Sequence, residues 1–119
     1  MSDVLALLHK YHAALNAIDL DAVAEMFAGD AVYVSPGLNG TIKGRAAIMQ
    51  SMHRYFAEYA DQISTDESMT LAGPRTVRSL WHLKATSNKT GNVSERRGVE
   101  FVTFDDNEFI IRVEVTDDI

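Results

Sequence analysis

The sequence predicts an α+β fold, a cone-shaped domain in which three helices pack on the concave face of a curved antiparallel sheet. Apolar residues recur at helical spacing in the first half of the chain, and from Ile63 onward the period changes from 3.6 to 2. The later strands are joined by short turns, which require antiparallel pairing because a parallel pair needs a long crossover. A curved sheet covered by helices leaves a cavity at its open end, where a ligand can bind.

The composition is typical of one globular domain. The 119 residues are 46% hydrophobic and 24% charged and include no cysteine, so we expect a single domain over residues 1–119 without disulfides or cysteine-zinc sites. The opening segment, MSDVLALLHK, lacks a basic leader and a long apolar run, which predicts a cytoplasmic protein that makes no membrane contact. A net charge of −6 with scattered basic residues argues against nucleic acid and favours a small, weakly charged ligand.

Three helices are predicted. An apolar stripe at helical spacing places the first over about residues 3–17. Asp19 stands where a helix N-cap is expected and Gly29 where a helix ends, so a short second helix lies between them. A wide apolar face predicts a third helix, the longest, over about residues 45–59.

The strands are predicted from β-prone runs bounded by turn residues. The first is Ala31–Ser35, ended by Pro36, and Gly37–Gly44 is predicted to be a loop. The remaining four predicted strands span residues 63–71, 75–87, 93–104 and 108–116.

Two histidines on the first helix, His9 and His12, are spaced three apart. No carboxylate or third histidine close in sequence completes a ligand set, so the spacing predicts a partly solvated helix flank and no metal site.

Two motifs carry a family resemblance. Residues 11–36 read YHAALNAIDLDAVAEMFAGDAVYVSP, and GRAAI opens the third helix. With the order of elements, these motifs resemble the nuclear transport factor 2 superfamily, which has a cystatin-like fold. Within it, the chain is similar to the ketosteroid isomerase and SnoaL-like polyketide cyclase branch. The resemblance covers nearly the whole chain and implies a pocket for a small hydrophobic molecule.

The resemblance implies roles for three positions. Tyr11 holds the place of the oxyanion-hole tyrosine of ketosteroid isomerases. Counting from the hairpin glycine, Gly91, their second donor, an aspartic acid, corresponds to Glu100. Their general base, an aspartate before a proline, is replaced by Ser35, whose hydroxyl is too weakly basic to take its place. Glu100 and Tyr11 are therefore the predicted catalytic residues.

The role of Glu100 stays open at this point. It can donate a hydrogen bond to an enolate as a neutral acid, or act as the base with Tyr11 as the orienting donor. It can also be a structural partner of Arg96 or Tyr11.

Strand alternation sorts the side chains between the two faces of the sheet. Together with the helix stripes, it predicts a pocket around Glu100 whose ligand-binding residues are Tyr33, Ser35, Met52, Tyr55, Phe56, Trp81 and Val102. Ile111 is also predicted to face inward. The outward positions Leu80, Val99, Phe101 and Ile110 would form an exposed apolar patch, which predicts a homodimer through the outer sheet face.

Two functions from different classes fit these features. The first is an isomerase- or cyclase-type enzyme that acts on a small hydrophobic carbonyl compound without a cofactor or metal. The second is a non-catalytic module of the same fold that binds a hydrophobic ligand or dimerises. The missing base at Ser35 weakens the first, and the retained Tyr11 and Glu100 support it.

Overall fold

The computed structural model describes residues 3–35 and 40–118, and its first and third helices follow the sequence prediction closely. The predicted helix end at Gly29 is wrong, because the second helix ends at Met26 and the chain enters the first strand directly at Phe27. The third helix is the longest, as expected, because its apolar face runs unbroken over almost four turns. The helices are α1 (Val4–Asn16), α2 (Leu20–Met26) and α3 (Arg45–Glu58).

The predicted cap at Asp19 is confirmed. Its side chain accepts a hydrogen bond from the backbone N–H of Ala22, and Asp3 caps α1 in the same way through Ala6. Each cap satisfies one of the N–H groups that the first turn of a helix leaves without an internal partner.

Six strands form one curved sheet in the order β2-β1-β6-β5-β4-β3. All neighbours are antiparallel except β1 and β6, which run parallel, so the sheet is mixed. Parallel pairing is available there because most of the chain lies between these two strands. The strands are β1 (Phe27–Ser35), β2 (Gly40–Lys43), β3 (Ile63–Leu71), β4 (Thr76–Thr86), β5 (Val93–Phe104) and β6 (Ile110–Asp118).

The loop prediction over Gly37–Gly44 is wrong in its second half. β2 occupies Gly40–Lys43 and pairs antiparallel with the end of β1, where Ser35 is opposite Gly40. The β-branched pair Thr41-Ile42 suits an edge strand. Pro36, where the first strand is predicted to end, and residues 37–39 lie outside the described residues.

One core joins the helices to the inner face of the sheet. Its fully buried side chains come from all three helices and four of the strands, which fixes how the helices lie across the sheet. The largest of them are Leu8, Tyr11, Val23, Phe27, Ile48, Val77, Val102, Phe104, Ile110 and Val113.

Strand alternation is confirmed on β4 and β5, where every residue predicted to face inward is buried. The prediction fails at the start of β6. Ile110 is fully buried and Ile111 is 36% exposed, the reverse of the expectation. A register shift between Thr103 and Phe104 pairs Phe104 with Ile110 and Thr103 with Arg112, so Ile111 is an extra, bulged residue.

Gly98 on β5 leaves room for close contacts with the neighbouring strands β4 and β6. A Cβ atom at this position would lie 2.1 Å from the carbonyl oxygen of Thr116 and 2.5 Å from the ring of Trp81. The absence of a side chain at Gly98 therefore lets the indole of Trp81 pack closely against β5.

We expect Gly98→Ala to lower the free energy of unfolding by about 2 kcal/mol or more, because overpacking against backbone forces the strands or the indole to move. Urea denaturation followed by the fluorescence of Trp81, the single tryptophan, measures this. Gly29→Ala is the control, since a Cβ there meets nothing within 4 Å. Equal stability of the Gly98→Ala variant and the native protein would contradict the packing described here.

Candidate functional site

A cavity of about 110 Å³ lies between α1, α3 and the inner face of the sheet. Aromatic and aliphatic side chains form most of its wall, and a few polar groups converge on it. The residues that line it are His12, Leu15, Asn16, Tyr33, Ser35, Met52, Tyr55, Phe56, Gln62, Ser64, Trp81, Leu83, Arg96, Glu100 and Val115.

The structure brings most of the predicted site residues together around this cavity. Tyr11 and Val102 do not line it: both are fully buried, with Tyr11 packed edge-on against Phe27. The predicted residues that line the cavity are Tyr33, Ser35, Met52, Tyr55, Phe56, Trp81 and Glu100.

A histidine held between two carboxylates is the most polar feature of the site. Nε2 of His12 lies 2.6 Å from Oε1 of Glu100, and Nδ1 lies 2.7 Å from Oδ2 of Asp66. The side chains are 15%, 8% and 17% exposed for His12, Glu100 and Asp66. These contacts join α1 to β5 and β3 across the cavity wall.

His12 is a cation at neutral pH. Burial by itself would lower its pKa, but the charge of Glu100 and the hydrogen bonds with Asp66 and Glu100 outweigh it and raise the pKa to about 10. With both ring nitrogens protonated, His12 donates to both carboxylates. An imidazolium has no free lone pair and is not a metal ligand. No group of three or more histidine, aspartate or glutamate side chains within residues 3–35 and 40–118 is arranged to hold a metal ion.

The expected role of His12 is therefore wrong: it is a largely buried ion-pair partner, not part of a partly solvated helix flank. The sequence contains a signal for this, because His12 continues the spacing of Leu5, Leu8 and Leu15 on the buried face of α1. Asp66 was not recognised either. It lies opposite Trp81 on the neighbouring strand and turns inward with Ser64.

Two tyrosines lie behind and beside Glu100. Burial, followed by the neighbouring Tyr33 and Glu100, raises the pKa of Tyr11. Burial and the charge of Glu100 also raise the pKa of Tyr33. Both phenols are thus protonated at neutral pH and remain hydrogen-bond donors. Of these two tyrosines, Tyr33 lines the cavity and Tyr11 does not.

A second polar group lies away from the histidine cluster. Arg96, one of the two structural partners considered for Glu100, pairs with Asp117, with Nε and Nη2 each 3.4 Å from a carboxylate oxygen. Its guanidinium lies 5.9 Å from the centre of the Trp81 ring. Close by, the hydroxyl of Tyr55 donates to Oε1 of Gln62.

The family model of the SnoaL-like domain matches residues 8–113. The chain belongs to this family. The match covers the part of the helix that carries His12 and the strands that carry Asp66 and Glu100. No curated protein sequence matches the chain significantly.

Solved structures share the fold at low identity. Rv0760c from Mycobacterium tuberculosis, in complex with estradiol-17β-hemisuccinate, is 20% identical with a TM-score of 0.84, covering 97% of this chain and 93% of that one. The epoxide hydrolase/cyclase-like enzyme SalBIII, which acts in pyran ring formation in the polyether salinomycin, is 18% identical with a TM-score of 0.86, covering 98% and 91%. A SnoaL-like polyketide cyclase from Shewanella denitrificans is 20% identical with a TM-score of 0.80, covering 97% and 90%.

These similarities confirm the predicted fold and family, and the chemistry has to be inferred from the cavity itself. No helix in the described part of the chain is long and apolar enough to cross a membrane.

The raised pKa of His12 predicts a pH dependence of stability. Its unfolded pKa is about 6.5, so the stabilisation from the charged form is complete below that pH and is lost as the pH rises toward about 10. We expect the free energy of unfolding to decline over this range. In His12→Gln the decline should be smaller.

Urea denaturation at a series of pH values measures this difference. His9→Gln, at an exposed position on the same helix, is the control and should keep the native profile. A His12→Gln profile parallel to that of the native protein would show that His12 is not charged in the folded state.

Proposed function

We propose that this protein is an isomerase- or cyclase-type enzyme that acts on a small, mostly apolar carbonyl compound, with Glu100 as the general base and with no cofactor. The observation that carries this proposal is the hydrogen bond between the buried Glu100 carboxylate and the imidazolium of His12, at the wall of an apolar cavity. A buried carboxylate held by a fixed cation is costly to build and is typical of functional sites.

The cation favours the base over the neutral donor. Nε2–H of His12 donates a hydrogen bond to Oε1 of Glu100 at 2.6 Å, and a carboxylate that accepts this bond is suited to accept a proton from a ligand. Because His12 binds Oε1, the other oxygen is available to a ligand in the cavity. Asp66 holds the opposite ring nitrogen of His12 and fixes the orientation of the imidazole. Ser35 lines the same cavity, but its hydroxyl does not replace the base.

Removal of a proton next to a carbonyl produces an enolate, whose oxygen needs a hydrogen-bond donor. Tyr33 is the better donor, because it lines the cavity and stays protonated. Tyr11, the donor expected from the family, is fully buried behind it. We assign Tyr11 a supporting role through Tyr33.

The rest of the wall supports an apolar substrate. Met52, Phe56 and Trp81 line the cavity that contains the base and the donor. Val102 packs beneath them in the core. The steroid bound by Rv0760c and the polyketide chemistry of the Shewanella denitrificans relative agree with this substrate class.

We expect the native protein to accelerate the exchange of α-protons for deuterium in small apolar ketones. Glu100→Gln should reduce this rate by about 10²–10⁴-fold, the range that a general base typically contributes. Proton NMR in D₂O, with a panel of aryl and cyclic ketones, measures the exchange directly.

Glu95→Gln on the same strand is the matched control, because Glu95 is exposed and outside the cavity. Trp81 fluorescence checks that each variant is folded. Full exchange activity in Glu100→Gln would overturn the proposal. Tight binding of the ketones without exchange in any form would favour the non-catalytic binding module.

We also propose that the protein forms a homodimer through its outer sheet face. Leu80 and Val99 are paired across β4 and β5, and Phe101 lies next to them on the face opposite Glu100. Ile110 does not belong to the predicted patch, because it is buried. The bulged Ile111 is exposed instead. An apolar patch of this kind marks an interaction surface in soluble proteins.

If this dimer forms, Phe101→Asp places a charge in the interface, where its burial is unfavourable. The variant should therefore dissociate to monomers and show half the native mass in light scattering at micromolar concentration. Leu71→Asp, at the exposed end of β3, should leave the dimer intact. A native protein that is monomeric at these concentrations would refute the proposal.

A further inference from the structure

The cavity has a second polar end that the proposed reaction does not use. Arg96 and Glu100 lie on the same face of β5 and both line the cavity. Four residues along a strand place their Cα atoms about 13 Å apart. One end of the site therefore carries a carboxylate and the other a guanidinium.

The guanidinium is only partly satisfied by its partner. Both contacts from Arg96 to Asp117 are 3.4 Å long, whereas charge-assisted hydrogen bonds are typically about 2.7–2.9 Å. Nε of Arg96 is buried and has no well-directed hydrogen bond within the described residues. Since a guanidinium has five N–H donors, Arg96 can bind a further anionic oxygen while it remains next to Asp117.

The positive field of Arg96 reaches into the cavity. Burial raises the pKa of Tyr55 and of Tyr33, and the charge of Arg96 acts against this rise in both. Both tyrosines line the cavity. Between the two ends lies the flat ring of Trp81, which Gly98 allows to pack against β5. An apolar body resting on this ring would have a negative charge near one of its ends and a positive charge near the other.

We propose that the ligand is a small apolar carbonyl compound that also carries a carboxylate, which Arg96 binds while the carbonyl end faces Glu100. The carbonyl part rests on the proposed function, and the carboxylate part depends on Arg96 alone. The cavity volume of about 110 Å³, smaller than the engineered cavity of about 150 Å³ that holds benzene, limits the apolar part of the ligand to no more than one ring. The ligand is thus a slim keto acid built on one ring.

The test compares two probes that differ only in charge, 4-oxo-4-phenylbutanoate and its primary amide. Isothermal titration calorimetry measures the affinity of each. We expect the native protein to bind the carboxylate about tenfold or more tightly than the amide, the difference that one hydrogen bond between charged groups provides. Arg96→Gln should remove this preference by weakening only the carboxylate.

Arg97→Gln is the matched control. Arg97 is the next residue on the strand, 65% exposed and paired with Glu67 on the outer face, so its loss changes the net charge equally but should keep the preference. Asp117→Asn should strengthen the preference, because it removes the carboxylate that competes for Arg96.

Three results would overturn the inference: no saturable binding of the carboxylate, equal affinities for the two probes, or an equal loss of both in Arg96→Gln. Exchange of the α-protons of 4-oxo-4-phenylbutanoate, measured by proton NMR in D₂O, tests the proposed reaction independently. A charge preference without exchange would refute the proposed reaction and leave the Arg96 site standing. Exchange without a preference would refute the Arg96 site alone.

Discussion

The pairing of His12 with Glu100 and Asp66 is the contact on which the site depends. Three ionisable groups share a region that is largely closed to water, and burial of any one of them alone would be strongly unfavourable. Together they leave a net charge of −1, and each ring nitrogen has a carboxylate partner. The cluster therefore fixes the position of α1 over the sheet and at the same time the orientation of the Glu100 carboxylate.

Most of the fold could be predicted from the sequence because it follows from local patterns. The helix stripes and the cap at Asp19 depend only on residues close in the chain, and so do the turns between β3, β4, β5 and β6. The parallel pairing of β1 with β6 depends on residues at opposite ends of the chain. The bulge at Ile111 is equally hidden, because two adjacent isoleucines do not indicate which of them faces inward.

The candidate site was only half predictable for a similar reason. Glu100 could be found by its position after the hairpin glycine and by strand alternation, and the aromatic wall by helical spacing. Its partner could not, because His12 lies 88 residues away and Asp66 belongs to another strand. Arg96 is closer in sequence to Glu100 and has the right charge, but the two residues are four positions apart on one strand and their side chains reach different ends of the cavity.

The separation of Arg96 from Glu100 also has a chemical consequence. A guanidinium in contact with Glu100 would remain charged at every accessible pH and would occupy the carboxylate with a rigid bidentate pair. His12 binds Oε1 with a single N–H instead. The second hydrogen bond of the imidazolium, to Asp66, divides its charge between two carboxylates. For the proposed reaction, this contact with one oxygen suits a base better than a bidentate pair, because the proton from the ligand needs the other oxygen of the carboxylate. The position of Arg96, four residues away on the same strand, is compatible with this proposal.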